Sequence, residues 1–259
     1  MTKWYHKCDL GWLKTRQKHL TATDVKELLP FTKTGRKKTI TDETYLKVWS
    51  SKMVNLTEDD CVSTGAAARG HILEPYAIDR FNEANVFGNL QLYHWDDIIV
   101  TRPEPDPFSL AFSPDAMELI PPNQGSIAWV IPSTIVEVKS YYPERHTIAG
   151  YTPKENLEER WQIATAMAVC ESIEEAYLLF YNPSMKNQLY IVNYDRADLE
   201  AEIDIVLDIE RDWLDWIKNR GNLDHHYIVA GKLNAEEEII RSIMRREELN
   251  PEGEKSVIR

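Results

Sequence analysis

Three residues have the types and spacing to do chemistry together: Asp115, Glu137 and Lys139. Glu137 and Lys139 stand at alternate positions in the apolar run Ile135-Val136-Glu137-Val138-Lys139-Ser140. In a strand, residues two apart point to the same face, so the two charges project together and Val136 and Val138 project to the other face. A strand buried on both faces carries a charged pair only if the pair is partnered or used. Asp115 lies 22 residues upstream, in Ser113-Pro114-Asp115, within a second strand-like run from Phe108 to Leu119. If the two runs pair, two carboxylates and a lysine meet at one point. Such a group suits a hard divalent cation bound through oxygen, with Lys139 beside it to orient or deprotonate a water or to stabilise a charged transition state. The chemistry that uses this set is phosphodiester hydrolysis, in which the metal lowers the pKa of water and steadies charge on the attacking and leaving oxygens.

The elements that must position these residues follow from periodicity and turn residues. Thr21 or Thr23 is placed to cap a short helix from Asp24 to Leu29, which Pro30 ends. Thr41 to Met53 reads as a helix. Gly70 to Phe81 follows as a helix with Leu73, Ala77, Ile78 and Phe81 on one face, and Pro75 sits in its first turn or kinks it. Glu74 on this helix reads either as a surface glutamate or as a third site carboxylate. Strand-like runs cover Val86 to Tyr93, Ile98 to Thr101, Phe108 to Leu119 and Ala128 to Lys139. Asn123-Gln124-Gly125 is the turn between the last two, which makes them antiparallel neighbours. Asn156 to Cys170 is an amphipathic helix with Gln162 beside its buried stripe. Two strands, Ala176 to Tyr181 and Gln188 to Tyr194, precede a long helix from Asp198 to Asn219, and a charged helix from Asn234 to Leu249 ends the chain. This order implies an α/β fold, a mixed central sheet flanked by helices. Residues 1–220 would form the main domain and 221–259 a charged helical extension.

Composition narrows the class. At 259 residues and 43% hydrophobic content, the chain can bury a sizeable core. No run reaches the ~18 apolar residues of a membrane span, and the N-terminus lacks an apolar signal region. Three scattered cysteines, Cys8, Cys61 and Cys170, fit a reducing cytoplasm better than a disulfide framework or a zinc site. The net charge of −12 argues against passive coating of nucleic acid, although basic residues cluster at Lys14 to His19 and Lys33 to Lys38.

Several motifs then align in order. Pro114-Asp115 followed by Glu137-Val138-Lys139 resembles the core of the PD-(D/E)xK nucleases. Trp12 to Val25, Gly70 to Phe81, Gln162 in its helix and Tyr177 to Pro183 extend the likeness over about Trp12 to Asn219. Together they resemble the YqaJ-type viral recombinases, the phage lambda-type exonuclease family. The resemblance implies a restriction-endonuclease-like core and a Mg²⁺-dependent exonuclease, with Mn²⁺ as a substitute. It implies digestion of the 5′ strand of linear duplex DNA, leaving a 3′ overhang for a single-strand annealing protein. Residue by residue, it makes Asp115 and Glu137 metal ligands, with the backbone carbonyl of Val138, and makes Lys139 the catalytic lysine. Glu74 would complete the acidic site directly or through water, and Gln162 would position water or substrate. Arg16, Thr23 and Ser113 would grip a 5′-phosphate, Arg16 with a cationic fork. The resemblance also implies a ring-shaped homotrimer on double-stranded DNA ends, no membrane, and a phage- or prophage-encoded protein in a bacterial cytoplasm. One departure stands out: the family often has glycine after the motif aspartate, where this chain has Ala116, which is tolerable unless the position needs positive φ. Two alternatives share these residues: a restriction-like endonuclease, which needs no free end, and a non-catalytic DNA-end-binding or DNA-mimicking module, which the acidic charge favours.

Overall fold

The computed structural model describes residues 3–4 and 10–219, apart from 33–34, 62–64, 86–89, 95–97, 102–107 and 119–132. The chain divides into two compact units, Met1–Asp212 and Trp213–Arg259. In the second, the rings of Trp213 and Trp216 stack with centroids 5.8 Å apart. The expected turn at 123–125, the strand residues 128–132 and the terminal helix Asn234 to Leu249 lie outside the described residues.

The architecture is the expected mixed α/β fold. Strands β1 (Lys3–Trp4), β3 (Ile98–Thr101) and β4 (Ala111–Phe112) form a small antiparallel sheet in the order β1-β3-β4. The central sheet has the order β2-β5-β6-β7-β8, from β2 (Leu92–His94), β5 (Ala116–Glu118), β6 (Thr134–Lys139), β7 (Glu175–Tyr181) and β8 (Leu189–Asp195). It is mixed because β6 runs parallel to β7, while the other neighbours are antiparallel. A parallel pair needs a crossover. Here the chain between β6 and β7 holds α5 (Pro143–Tyr151) and α6 (Arg160–Val169).

The period of two along β6 sorts its side chains as the sequence implies. Val136 and Val138 join Tyr177 and Leu179 of β7 under helix α4 (Gly65–Ala84), against Ala77, Ile78 and Phe81. Glu137 and Lys139 take the opposite face, toward α6, where Gln162 bonds to Glu137. Both faces of the sheet are therefore covered.

Four expectations need correction. The run Phe108 to Leu119 is not one strand: it divides into β4 and β5, which belong to different sheets. Ser113-Pro114-Asp115 forms the joint, and Pro114 has no N–H to give a continuing ladder. The helix containing Glu74 begins at Gly65, so Pro75 lies in its interior rather than its first turn. Helix α6 begins at Arg160, after a short 3-10 turn at Lys154–Asn156, rather than running from Asn156. It is also not amphipathic: Trp161 and every residue from Ile163 to Val169 are buried, so it is wrapped on all sides. A helix enclosed all round carries no one-sided pattern.

Helix α2 (Ala22–Leu28) starts with a capping box. The Thr21 N–H and hydroxyl both donate to Asp24 Oδ2, at 2.8 and 2.7 Å. The same oxygen accepts from Lys52 Nζ at 2.5 Å, tying α2 to α3 (Asp42–Lys52). The Lys52 side chain is only 5% exposed, and burial pulls its pKa below the ordinary lysine value despite Asp24. Among the described residues, no helix is long and apolar enough to cross a membrane.

A buried ion pair that loses one partner leaves an uncompensated charge. Lys52→Met is expected to cost about 3–5 kcal/mol of stability, read as a lowered urea midpoint with an unchanged slope. An unchanged midpoint would show that the pair does not hold α2 on α3.

Candidate active site

The ladder between β5 and β6 ends at Ala116 opposite Val136. Strand β6 continues to Lys139, so the Val138 N–H on that edge lies past the last β5 partner. Asp115 fills this gap. Its own N–H donates to the Val136 carbonyl at 3.1 Å, and its Oδ2 accepts the Val138 N–H at 2.8 Å. Asp115 is 6% exposed, and its carboxylate is fixed in orientation by the strand it faces.

On the same strand, Glu137 Oε1 accepts from Lys139 Nζ at 2.5 Å and from Gln162 Nε2 at 2.9 Å. The Lys139 and Glu137 side chains are 20% and 15% exposed, too enclosed for an ordinary surface ion pair. Burial works against the Lys139 ammonium. Glu137 and Asp115 outweigh it and hold the lysine above its ordinary pKa. A lysine ammonium donates and does not accept, and in this setting it is turned to the Glu137 carboxylate.

Glu74 is buried, at 7% exposure, rather than a surface glutamate. His71 Nδ1 lies 3.5 Å from its Oε1 and His94 Nε2 lies 3.8 Å from its Oε2. Arg16, on α1 (Leu10–Gln17), sets its guanidinium 4.5 Å from the ring centroid of Trp12. Trp12 packs with Ile99 and Ala111, as its type suggests.

One cavity of about 190 Å³ is lined by Arg16, Thr23, Glu74, Ser113, Asp115, Glu137, Val138, Lys139 and Gln162 together. Every residue picked out from the sequence therefore faces a single space. Among the described residues, however, no three His, Cys, Asp or Glu side chains already converge closely enough to hold a metal by themselves. Glu137 is turned to Lys139 and Gln162, and Glu74 lies beside its histidines. Ala116 raises no difficulty: among the described non-glycine residues, only Asn85 and Phe108 have positive φ.

Sequence reasoning missed His71, His94, Lys26 and a cluster around Glu159. Lys26 Nζ donates to Gln162 Oε1 at 3.2 Å, and burial, then the nearby Lys139, pulls its pKa down. Just before α6, Glu159 accepts from the Tyr141 hydroxyl, and Arg145 Nη2 also reaches it at 3.3 Å. Burial pushes the Glu159 pKa up, but the Tyr141 bond, its own backbone N–H, Lys26 and Arg145 hold it below the usual carboxylate range. The available signal was helical spacing: Lys26 is three residues after Thr23, and Glu159 three before Gln162.

A mixed sheet whose central strand carries Glu137 and Lys139, with Asp115 at the start of its antiparallel neighbour, defines a restriction-endonuclease-like α/β core. No protein-family model matches the chain, and no curated protein matches it. Among solved structures, it is similar to LHK-Exo, an alkaline exonuclease from Laribacter hongkongensis. The structure of LHK-Exo in complex with dAMP aligns at a TM-score of 0.52 and 18% identity, covering 83% of this chain and 100% of the other. A second LHK-Exo structure aligns over the same shares at 0.51 and 17%. At this identity the likeness shows a shared fold.

The Asp115 carboxylate has a structural duty separable from any chemistry. Asp115→Asn keeps an oxygen that can accept the Val138 N–H, whereas Asp115→Ala leaves that buried donor unsatisfied. Asp115→Ala is expected to be less stable than Asp115→Asn by about 1–3 kcal/mol. Urea unfolding of the two variants side by side measures the difference, and equal midpoints would rule out the strand-tying bond.

Proposed function

We propose that this protein is a metal-dependent deoxyribonuclease that digests the 5′ strand of linear duplex DNA. It would leave 3′ overhangs for a single-strand annealing protein in phage-type recombination. The observation that carries the reading is the single cavity in which Asp115, Glu137, Lys139 and Gln162 meet Arg16, Thr23 and Ser113. The shared fold with an alkaline exonuclease supports it, as does that protein's capture with dAMP, a mononucleotide of the kind an exonuclease releases.

The donor set suits Mg²⁺, because Asp115, Glu137 and Glu74 offer carboxylate oxygens, the ligands hard cations prefer. A strand residue's N–H and C=O leave along the same edge, so the Val138 carbonyl lies on the Asp115 side and can add a further oxygen. Asp115, Glu137 and Val138 would hold the metal, with Glu74 completing the acidic site directly or through water. When bound, the metal would polarise the phosphodiester and make water a better nucleophile.

The chain's own residues supply the rest. Lys139 would donate to the phosphate oxygens as negative charge builds on them, or would orient or deprotonate the attacking water. Gln162 would position water or substrate beside Glu137. The Arg16 guanidinium and the Thr23 and Ser113 hydroxyls would receive the terminal 5′-phosphate, and would set strand polarity by admitting an end of one kind. A ring-shaped homotrimer, as the family resemblance implies, would give processivity by enclosing the duplex between cuts.

Linear duplex with either strand 5′-phosphorylated and end-labelled, incubated with Mg²⁺ or EDTA, tests the reading. The phosphorylated strand is expected to disappear with Mg²⁺ only, and a closed circular duplex to survive. Lys139→Ala is expected to lose roughly 10²- to 10³-fold in kcat. Degradation in EDTA, or cutting of the closed circle, would count against the proposal.

Arg16→Ala makes a separate expectation. Losing charged hydrogen bonds worth about 1.5–3 kcal/mol should erase the preference for phosphorylated over hydroxyl ends, with metal affinity unchanged. Equal loss on both kinds of end would remove Arg16 from phosphate recognition.

A further inference from the structure

Gln162 is held from two sides. Its Nε2 donates to Glu137 Oε1 at 2.9 Å, and its Oε1 accepts from Lys26 Nζ at 3.2 Å. A glutamine amide has one accepting end and one donating end, while an ammonium only donates and a carboxylate only accepts. Lys26 and Glu137 therefore specify the same orientation. A flipped amide would turn its carbonyl oxygen toward the Glu137 carboxylate and its amino group toward the ammonium, losing both bonds.

Lys26 does not line the cavity that holds Asp115, Glu137 and Lys139. It lines a neighbouring cavity of about 940 Å³, shared with Thr23, Trp161 and Arg160, and reaches Gln162 across the contact between α2 and α6. Its ammonium is thus placed to act on the amide rather than on a substrate. The helix that bears it is anchored at its start by the Thr21–Asp24 capping box and the Asp24–Lys52 bond, so the lysine projects from a fixed element.

The geometry points to Lys26 as a positioning residue that locks the Gln162 amide, so that its N–H groups face Glu137 and the reacting space. Its kinetic consequence rests on the nuclease reading above, whereas the orientation of the amide does not. The chain Lys26–Gln162–Glu137–Lys139 alternates donor and acceptor without a break. Removing its outer member leaves the amide held from the Glu137 side alone, which loosens a donor that fixes that carboxylate.

The test uses the full-length protein and the variants Lys26→Met, Lys26→Arg, Gln162→Leu and the Lys26→Met/Gln162→Leu double. Lys26→Met is expected to lower kcat on linear duplex by about 10- to 100-fold, the usual cost of losing an outer-shell partner, with KM unchanged. Lys26→Arg, which keeps a cationic donor, is expected to recover most of the rate. In the Gln162→Leu background, Lys26→Met is expected to cost nothing further, because its effect runs through the amide. A full, multiplicative loss in that background would overturn the assignment.

The second readout needs no activity. The side-chain amide signals of Gln162 in a ¹⁵N–¹H spectrum, identified by their loss in Gln162→Leu, are expected to shift and broaden in Lys26→Met. The other glutamine amides should not change. Unmoved Gln162 signals would overturn the positioning role whatever the enzyme does. Wild-type protein inactive with both Mg²⁺ and Mn²⁺ would instead defeat the nuclease reading, and the spectrum would still decide on Lys26. Should Lys26→Met fail to fold, Lys26→Gln supplies the same comparison.

Discussion

The structure turns on two half-buried charges on one face of its central strand. Taking Glu137 and Lys139 out of water is costly unless each finds a partner and their remaining hydrogen-bonding capacity is met. They find each other at 2.5 Å, and Gln162 supplies a further donor to the glutamate. That arrangement requires a helix against the charged face, close enough to deliver an amide yet apolar elsewhere. Helix α6 meets both demands, which is why it is buried nearly all round and carries Gln162 beside Trp161 and Ile163.

The second constraint is the joint between the two sheets. A continuous strand from Phe108 to Leu119 would have sent alternate residues to opposite faces. Ser113 and Asp115, two apart, would share a face of such a strand in any case; the break at Ser113-Pro114-Asp115 divides the run between two sheets, and both residues line the one cavity. Asp115 repairs the break by accepting the N–H that β5 leaves without a strand partner. A carboxylate so held is already oriented, and little conformational freedom is left for a ligand to remove.

Helix α2 serves both sides of the site. Its first turn carries Thr23 to the cavity, and one turn later Lys26 reaches Gln162. A seven-residue helix is marginal alone. The capping box and the buried Lys52 bond to Asp24 hold it where both contacts can form. The same short segment therefore couples the end that would receive a terminal phosphate to the group beside the Glu137 carboxylate.

Much of this was legible in the residues. The alternation along β6 has a period of two, so the opposite facing of Val136/Val138 and Glu137/Lys139 follows from strand geometry alone. The capping threonine and the antiparallel neighbourhood of Asp115 and Glu137 were legible too, and ordered short motifs singled out the nine residues that share one cavity. Local pattern determines which face a side chain takes. It does not determine which distant group arrives there. The break at Pro114, the enclosure of α6 on all sides, the histidines beside Glu74 and the reach of Lys26 across 136 positions to Gln162 depended on how helices and sheets pack. Those contacts are set by the rotation and offset of whole elements, and no periodicity within one element records the position of another.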